Sequence, residues 1–268
     1  MQISSTKESI KLKTLNYFTK ILGTTVLLTL LFAVVIAGCG GDKSSGPLGG
    51  NPPGENPPPA SVQSPVVLAS SSDYVILAGS AITSTGATNI TGDMGISPGS
   101  SLGGFPPGII VGVQHVNDAD ATTAKLDLTT AYNSAAGRTL APVSVAGNVG
   151  GRTLYPGLYK STSSLEISSG DLTLDAQGNS DAVWIFQIAS TLTTTPGRKV
   201  ILSGGAKATN VYWQVGTSAT LGTTTSFKGS IMADQSITMN TGATLEGRVL
   251  ARIGGVSLSG NTIVKPAL

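Results

Sequence analysis

The sequence predicts a mostly β fold, a three-faced solenoid of stacked coils with one α-helix packed along one face. The first observation is a repeat of 18 residues in the last third of the chain, marked by Trp213, Ile231 and Val249. The second is the alternation of apolar and polar residues within each repeat, as in residues 237–240 (ITMN), which is the period of a strand buried on one face. The third is the composition, with 35 glycines, 11% charged and 5% aromatic residues, which suits repetitive β structure.

Three strand columns follow from the repeat, one for each face. The first column runs through residues 183–186, 211–214, 230–233 and 248–251. We expect its inward side chains to be those of Ile185, Trp213, Ile231 and Val249. Its outward side chains are then Trp184, Phe186, Tyr212, Met232 and Leu250. An outward apolar stripe of this kind needs a cover.

The cover is a helix predicted over residues 118–136. Asn117 or Asp118 is its expected cap and Gly137 its stop. One face carries an apolar stripe at helical spacing, formed by Ala121, Ala124, Leu128, Ala131, Tyr132 and Ala135. We therefore expect this helix to lie along the first column.

The third column contains residues 199–202, 226–228, 244–246 and 262–264. Its outward residues include Lys199, Lys228 and Glu246. The third column therefore predicts a solvated wall.

The second column is distinguished by outward side chains that are short and uncharged, and no Lys or Arg occurs among them. They are Ala81, Thr83, Thr85, Thr191, Thr193, Thr195, Ser218, Thr220, Ser236, Thr238, Asn240, Ser257 and Ser259. Neighbouring strands lie about 4.8 Å apart, and outward residues two apart in one strand lie roughly 6.6 Å apart. The stiff χ1 of Thr fixes the direction of each hydroxyl and methyl. The second column thus predicts a regular grid that can order water.

The sequence resembles the ice-binding domain family over residues 65–266. The resemblance is carried by segments such as GRTLYPGLYKSTSSL, DAVWIFQIASTL and NVYWQVGTSATLG. It implies a right-handed discontinuous β-helix, in which the amino-terminal coil packs beside late coils and residues 98–116 form a capping excursion. It also implies an ice crystal surface as the partner, with thermal hysteresis and inhibition of ice recrystallisation, or ice adhesion, as the activity.

Family members often carry Thr, then Ala or Gly, any residue, then Thr or Asn on the ice-binding face. Carried over to this chain, the motif adds Ser80 and Thr217 to the candidate site, and only Thr217 keeps the first Thr. Residues 163–166 place the carboxylate of Glu166 where Thr or Asn is expected.

Two other function classes are the alternatives to ice binding. A β-helical polysaccharide lyase or hydrolase needs clustered carboxylates, and the close acidic pairs are Asp171 with Asp175 and Asp118 with Asp120. We interpret the former as strand-edge residues and the latter as first-turn helix acids. We also interpret His115 as structural or exposed, and expect no enzyme activity. The remaining alternative is a surface adhesin that binds a glycan or another protein.

The amino terminus predicts export and lipid anchoring. Four lysines precede an apolar stretch at residues 21–36, which ends in a segment that resembles a bacterial lipobox, Ile36-Ala37-Gly38-Cys39. We expect residues 1–38 to be a signal peptide and Cys39 to be lipidated. Residues 39–65 form a Gly-, Pro- and Ser-rich linker, and residues 66–268 the folded domain. The protein is then anchored to the outer membrane or cell surface, and release of some chains stays open.

Charge and cysteine content exclude several partners. The net charge of +2 is too small, and the Lys and Arg residues too scattered, to neutralise the phosphates of a nucleic acid. One cysteine excludes an intramolecular disulfide, and one cysteine with one histidine cannot build a zinc site. We therefore expect no metal, no cofactor and a monomer.

Overall fold

The computed structural model describes residues 62–267. The predicted signal peptide, the lipidation site Cys39 and residues 40–61 of the linker lie outside the described residues. Every strand pair within the described part is parallel, and the strands form three walls that follow one another along the chain. No helix among these residues is long and apolar enough to cross a membrane.

The first wall is the sheet formed by the first column of the sequence. From one end to the other it contains β8 (Val143–Ser144), β11 (Gly157–Ser161), β14 (Trp184–Ile188), β17 (Val211–Val215), β19 (Ser226–Ala233), β21 (Thr244–Ala251), β1 (Tyr74–Ala78), β4 (Asp93–Ile96) and β7 (Gln114–Val116).

The second wall is built from the Thr- and Ser-rich column. In spatial order its strands are β9 (Gly147–Asn148), β12 (Leu165–Ile167), β15 (Leu192–Thr194), β18 (Ala219–Leu221), β20 (Ile237–Met239), β22 (Val256–Ser259), β2 (Ala81–Thr85) and β5 (Ser101–Gly103).

The third wall contains β10 (Thr153–Leu154), β13 (Leu172–Asp175), β16 (Val200–Ser203), the first halves of β19 and β21, β23 (Thr262–Val264), β3 (Asn89–Thr91) and β6 (Ile109–Val111). The strands β19 and β21 turn the corner from the third wall to the first at Gly229 and Gly247. A Cβ at Gly247 would lie 1.9 Å from the Gly229 carbonyl oxygen, so only glycine permits this close stacking.

The coils are stacked out of chain order, as the family resemblance implies. The first strand, β1, lies between β21 from the end of the chain and β4. In the same way, β2 pairs with β22 and β3 pairs with β23. Residues 98–116 do lie at the end of the stack, as expected of a cap. They are nevertheless part of the stacked sheets, because they supply β5, β6 and β7 to the three walls.

The helix α1 (Ala119–Ala136) returns the chain from β7 at one end of the stack to β8 at the other. The Asp118 carboxylate accepts a hydrogen bond from the Ala121 amide at 2.8 Å, and Gly137 is the C-cap, so both predicted ends are confirmed. All six residues of the predicted apolar stripe are buried. Several of them pack against the outer face of the first wall, where they meet Tyr212, Met232 and Leu250.

Polar side chains also hold α1 on the first wall. Lys125 is 9% exposed, and its ammonium donates to the carbonyl oxygens of Ala251 at 2.5 Å and Arg252 at 2.6 Å. Burial, with a smaller contribution from the charge of Arg252, lowers the pKa of Lys125 to about 8. At the other end of the helix, the Gln187 amide donates to the carbonyl oxygen of Ala135 at 2.8 Å. These contacts fix the helix to the first wall and away from the second.

The orientation predicted for β14 is wrong. Trp184 and Phe186 point into the core and Ile185 faces the helix, whereas the expectation was the reverse. Trp184 pairs with Val211 and Phe186 with Trp213, so the predicted alignment was displaced by one residue. A displacement of one residue moves every side chain of a strand to its other face.

An aromatic stack fills the interior behind the walls. The ring centroids of Phe186 and Trp213 lie 3.9 Å apart in parallel planes, and Phe227 lies 5.0 Å from Trp213. The Trp213 indole also donates to the carbonyl oxygen of Lys228 at 3.0 Å. Dense, interlocked packing of this kind keeps the walls rigid.

Candidate functional site

The second wall has the alternation that the sequence predicts. Its inward side chains, including Ile82, Leu192, Ile237 and Val256, are buried in the core. Its outward side chains are exposed or half-exposed, and α1 covers a different wall. The predicted grid is therefore on the surface.

One row of outward residues, which we call the middle ladder, runs in register across the wall. Thr193 pairs with Thr220, Thr220 with Thr238, Thr238 with Ser257, and Ser257 with Thr83. Because neighbouring strands are about 4.8 Å apart, these five hydroxyls span about 19 Å. Parallel pairing without a bulge along this row places equivalent atoms at equal intervals.

The hydroxyls of the middle ladder have no hydrogen-bond partner within residues 62–267. Four of the five residues are threonines, whose β-branched side chains have few rotamers. All five lie on strands whose inward side chains pack in the core. An unpartnered hydroxyl on a rigid strand is free to bond to an external partner without first breaking an internal bond. The middle ladder is therefore the part of the wall best prepared to bind an ordered surface.

The predicted residues beside the middle ladder differ, since several bond to the protein itself. The Thr191 hydroxyl donates to the Ser164 hydroxyl at 2.8 Å, and the Ser218 hydroxyl accepts from the Ser236 amide at 3.3 Å. These two hydroxyls stabilise the edge of the wall. Ala81, which pairs with Ser101, presents a methyl group in the same row.

The row on the other side of the middle ladder has similar internal bonds. The Thr195 hydroxyl donates to the carbonyl oxygen of Ser168 at 3.1 Å, and the Thr85 hydroxyl donates to that of Leu258 at 3.4 Å. The Ser259 and Thr241 hydroxyls lie 3.0 Å apart. Asn240 is half-exposed in this row.

The two residues added by the family motif lie at the turn before the strands. Ser80 is exposed. The Thr217 hydroxyl oxygen is buried and has no hydrogen-bond partner in the described part of the chain. Thr217 therefore does not present its hydroxyl to solvent, although the motif places it in the site.

Glu166 interrupts the ladder at one end. It is exposed and pairs with Thr193 on one side and Asn148 on the other. The carboxylate thus stands in the same row as the five free hydroxyls. Because a carboxylate is strongly hydrated, it marks the boundary of the uncharged surface.

Two ion pairs lie at the corners on either side of the second wall. Arg252 lies 3.0 Å from the Asp234 carboxylate where the first wall turns into the second. Arg198 lies 3.6 Å from the Asp171 carboxylate at the turn between the second and third walls. In both pairs the charge is neutralised by its partner, and Glu166 is the charged residue that stands in the row of the middle ladder itself.

The structure brings together no other arrangement of reactive groups that the sequence singled out. His115 lies 2.8 Å from the Asp118 carboxylate at the start of α1, in agreement with the structural interpretation. Asp171 and Asp175 flank and end β13, as expected of strand-edge residues. Within residues 62–267, no group of three or more His, Cys, Asp or Glu side chains could hold a metal ion. Trp184 and Trp213 are fully buried, so neither is a platform for sugars.

Sequence reasoning missed the outermost strands of the second wall. Asn148 on β9 extends the middle ladder beyond Glu166, and Gly103 on β5 extends it beyond Thr83. Strands of two or three residues carry too few alternating positions to produce a periodic signal. The family resemblance to a discontinuous stack was the only clue to the position of β5.

A family model described as ice-binding-like matches residues 76–264. An ice-binding protein from Nostoc sp. (strain HG1) is 42% identical over 198 residues, which is 74% of this chain and 73% of that protein. An ice-binding protein from Flavobacterium frigoris (strain PS1) is 38% identical over 216 residues, 75% of this chain and 76% of that protein.

Solved structures give the same result. The crystal structure of an ice-binding protein from an Antarctic biological consortium has 62% sequence identity and a TM-score of 0.78, and covers 80% of this chain and 96% of its own. The crystal structure of an ice-binding protein from the Antarctic ascomycete Antarctomyces psychrotrophicus has 38% sequence identity and a TM-score of 0.72. It covers 76% of this chain and 100% of its own.

Proposed function

This chain belongs to the ice-binding-like family, and from that premise we propose that it binds ice crystals through the second wall. The observation that carries the proposal is the middle ladder. Its five hydroxyls are aligned in register and free of internal partners, and the five residues that carry them are uncharged. The hydroxyls and methyls can hold water in a lattice-like array, which then merges with the crystal.

The solenoid supports the rigidity that this function requires. Ice is a periodic solid, so a binding surface must keep its own spacing without paying for ordering after contact. Parallel strands supply that spacing in one direction and the pleat supplies it in the other. We also infer the right-handed form of the discontinuous β-helix, because connections between parallel strands are right-handed in about 98% of cases.

We expect thermal hysteresis and inhibition of ice recrystallisation as the measurable activities. A protein that adsorbs to an ice surface forces the crystal to grow between the adsorbed molecules, and curved growth fronts freeze at a lower temperature. The same adsorption would attach a cell to ice when the protein is held at the cell surface.

The first test is whether labelled protein coats an ice hemisphere. Wild type should label the ice, and Thr220→Tyr should label it much less, because a bulky ring rising from the middle ladder separates the wall from the crystal. Thr130→Tyr is the matched control, since Thr130 is exposed on α1 over a different wall. Equal labelling by wild type and Thr220→Tyr would overturn the second wall as the binding surface. A clean ice surface with wild type would favour an adhesin for another ligand.

We further propose that Cys39 is lipidated and anchors the domain to the outer membrane or the cell surface. The lipobox-like segment Ile36-Ala37-Gly38-Cys39, which follows an apolar stretch, supports the proposal. The first described residues lie beside α1. The Gln63 amide donates to the Leu140 carbonyl oxygen at 3.1 Å, and Arg138 donates to the Ser64 carbonyl oxygen at 3.1 Å, both close to the end of α1. Val66 packs with residues of α1 and the first wall. The described part of the chain therefore begins beside α1 and the first wall.

The anchor is tested by metabolic labelling with a radioactive fatty acid. Wild type should incorporate the label and partition with membranes, and Cys39→Ala should do neither. Because one acyl chain alone binds a membrane only weakly, stable partitioning requires more than one chain. Unlabelled wild-type protein in the soluble fraction would refute the anchor while leaving ice binding untouched.

A further inference from the structure

A second uncharged grid lies on the third wall, near the end of the stack formed by β6. Two rows of outward residues run in register across β21, β23, β3 and β6. The first row pairs Thr244 with Thr262, Thr262 with Asn89, and Asn89 with Ile109. The second row continues beyond Glu246 and pairs Val264 with Thr91, and Thr91 with Val111. We call these seven residues the third-wall patch: Thr244, Thr262, Asn89, Ile109, Val264, Thr91 and Val111.

The patch resembles the middle ladder in its uncharged, short side chains and has more methyl groups. Its Thr244 hydroxyl differs, because it donates to the Thr225 carbonyl oxygen at 3.4 Å. Its members are uncharged, and every one except Asn89 is β-branched, so their side chains are stiff. All seven are exposed. Ile109 and Val111 are 58% and 65% exposed, which is unusual for large aliphatic side chains arranged side by side. Contiguous exposed aliphatic groups mark a surface that meets a partner.

The rest of the third wall differs from the patch because it carries charged side chains. Lys228 and Glu246 form an ion pair at 2.7 Å immediately beside the patch. Beyond that pair, the wall presents Lys199 and an open groove lined by Lys207, Ile201 and Leu202. These charged residues therefore lie on one side of the patch, and the patch begins beyond the Lys228–Glu246 pair.

The patch is joined to the second wall by a short, rigid corner. The strands β22 and β23 belong to one coil, and only Gly260 and Asn261 separate them. Asn261 is fully buried and its side chain donates to the carbonyl oxygens of Asn240 at 2.9 Å and Ala243 at 3.1 Å. The buried Thr88 hydroxyl accepts from the Asn261 amide at 3.2 Å. These bonds hold the two walls at a fixed angle.

We propose that the third-wall patch is a second ice-binding surface, set at a fixed angle to the first. This inference rests on the proposed ice binding of the second wall and deepens it. Two rigid grids on adjoining walls present two different planes, so the protein would adsorb to two sets of ice planes that are not parallel. The patch has no Trp, Tyr, Arg or Met, the side chains that anchor protein interfaces, and its low relief fits ordered water better than a folded partner.

The experiment labels a single-crystal ice hemisphere with fluorescent variants and maps the planes that each one coats. Thr262→Tyr and Thr91→Tyr place a ring in each row of the patch. Thr153→Tyr is the matched control, because Thr153 is also an exposed threonine of the third wall, on β10 at the far end. Circular dichroism and thermal unfolding establish that each variant is folded.

Wild type and Thr153→Tyr should coat two sets of planes. Thr262→Tyr and Thr91→Tyr should lose one set and keep the other, and Thr220→Tyr should lose the complementary set. If both patch variants coat the same planes as wild type, the patch is not an ice-binding surface, and the second-wall proposal still stands. If Thr220→Tyr coats all the wild-type planes while the patch variants coat none, the second-wall proposal fails instead.

A second copy of the chain is the competing occupant of the patch. Sedimentation equilibrium of wild type and Thr262→Tyr separates the two. Our inference expects both to be monomeric at the concentrations used for labelling. A wild-type dimer that dissociates in Thr262→Tyr, with unchanged plane labelling, would assign the patch to self-association and overturn the proposal.

Discussion

Replacing Glu166 with Thr should raise thermal hysteresis, because it would join two parts of the ladder that the carboxylate separates. The uninterrupted run now extends from Thr193 to Thr83 across four strand spacings, or about 19 Å. In the variant the run would extend from Asn148 to Thr83 across six spacings, or about 29 Å. The uncharged ladder would therefore lengthen by about half.

The substitution should have little effect on folding. Glu166 is exposed and has no ion pair among residues 62–267. Thr is favoured over Glu in strands, within a scale that spans about 1 kcal/mol. Any gain in hysteresis would therefore come from the surface and not from stability.

Hysteresis is measured by nanolitre osmometry at matched concentrations of wild type, Glu166→Thr and Glu166→Gln. The Gln variant removes the charge and keeps the long side chain, so it should fall between the other two. Hysteresis of Glu166→Thr at or below the wild-type value, with an unchanged circular dichroism spectrum, would refute the reasoning that the carboxylate limits the surface.

Three further predictions concern the framework behind the site. Because burial lowers the pKa of Lys125 to about 8 in the folded chain, the unfolded chain binds more protons between about pH 8 and pH 10. The free energy of unfolding should therefore rise over that range, by up to about 3 kcal/mol, and urea titrations of Lys125→Met should lack the rise. A rise that persists in Lys125→Met would contradict this assignment. Phe227→Ala should lower the free energy of unfolding by about 3 to 5 kcal/mol, because Phe227 is fully buried against Trp213, and a loss below about 1 kcal/mol in guanidinium titrations would show that the aromatic stack contributes little. Asn261→Ala should lower the free energy of unfolding by about 1 to 3 kcal/mol and speed amide exchange in the turn before β23, since the carbonyl oxygens of Asn240 and Ala243 lose their donor; unchanged exchange would mean that the corner is held by other contacts.

The repeat in the last third of the chain was sufficient to predict the walls there. Trp213, Ile231 and Val249 all point into the core, and the three strands that carry them pair in that register. Polar and apolar residues alternate clearly in the second wall, because one of its faces meets solvent. For that reason the outward positions of the candidate site could be identified from the sequence.

The error at β14 has a physical cause. Every residue of β14 is buried, since one face meets the core and the other meets the helix. A strand that is apolar on both faces has no contrast between its two sets of positions. The turns before it are also irregular in length, so the repeat could not correct the alignment.

Two properties of the site could not be predicted from the sequence pattern alone. Thr191, Thr193 and Thr195 look equivalent in an alternating pattern, yet only Thr193 has a hydroxyl without an internal partner, since Thr191 bonds to Ser164 and Thr195 to Ser168. The position of β2 between β22 and β5 depends on pairing between distant segments of the chain, which local patterns do not record. The resemblance to the family supplied that order.

The most direct test of the central claim is the thermal hysteresis of Thr238→Tyr beside that of Thr130→Tyr, with both proteins folded by circular dichroism and at equal concentration. Thr238 lies at the centre of the middle ladder, between Thr220 and Ser257, whereas Thr130 lies on the helix. The account predicts that Thr238→Tyr loses most of the hysteresis and that Thr130→Tyr keeps it. Wild-type hysteresis in Thr238→Tyr would contradict ice binding through the second wall.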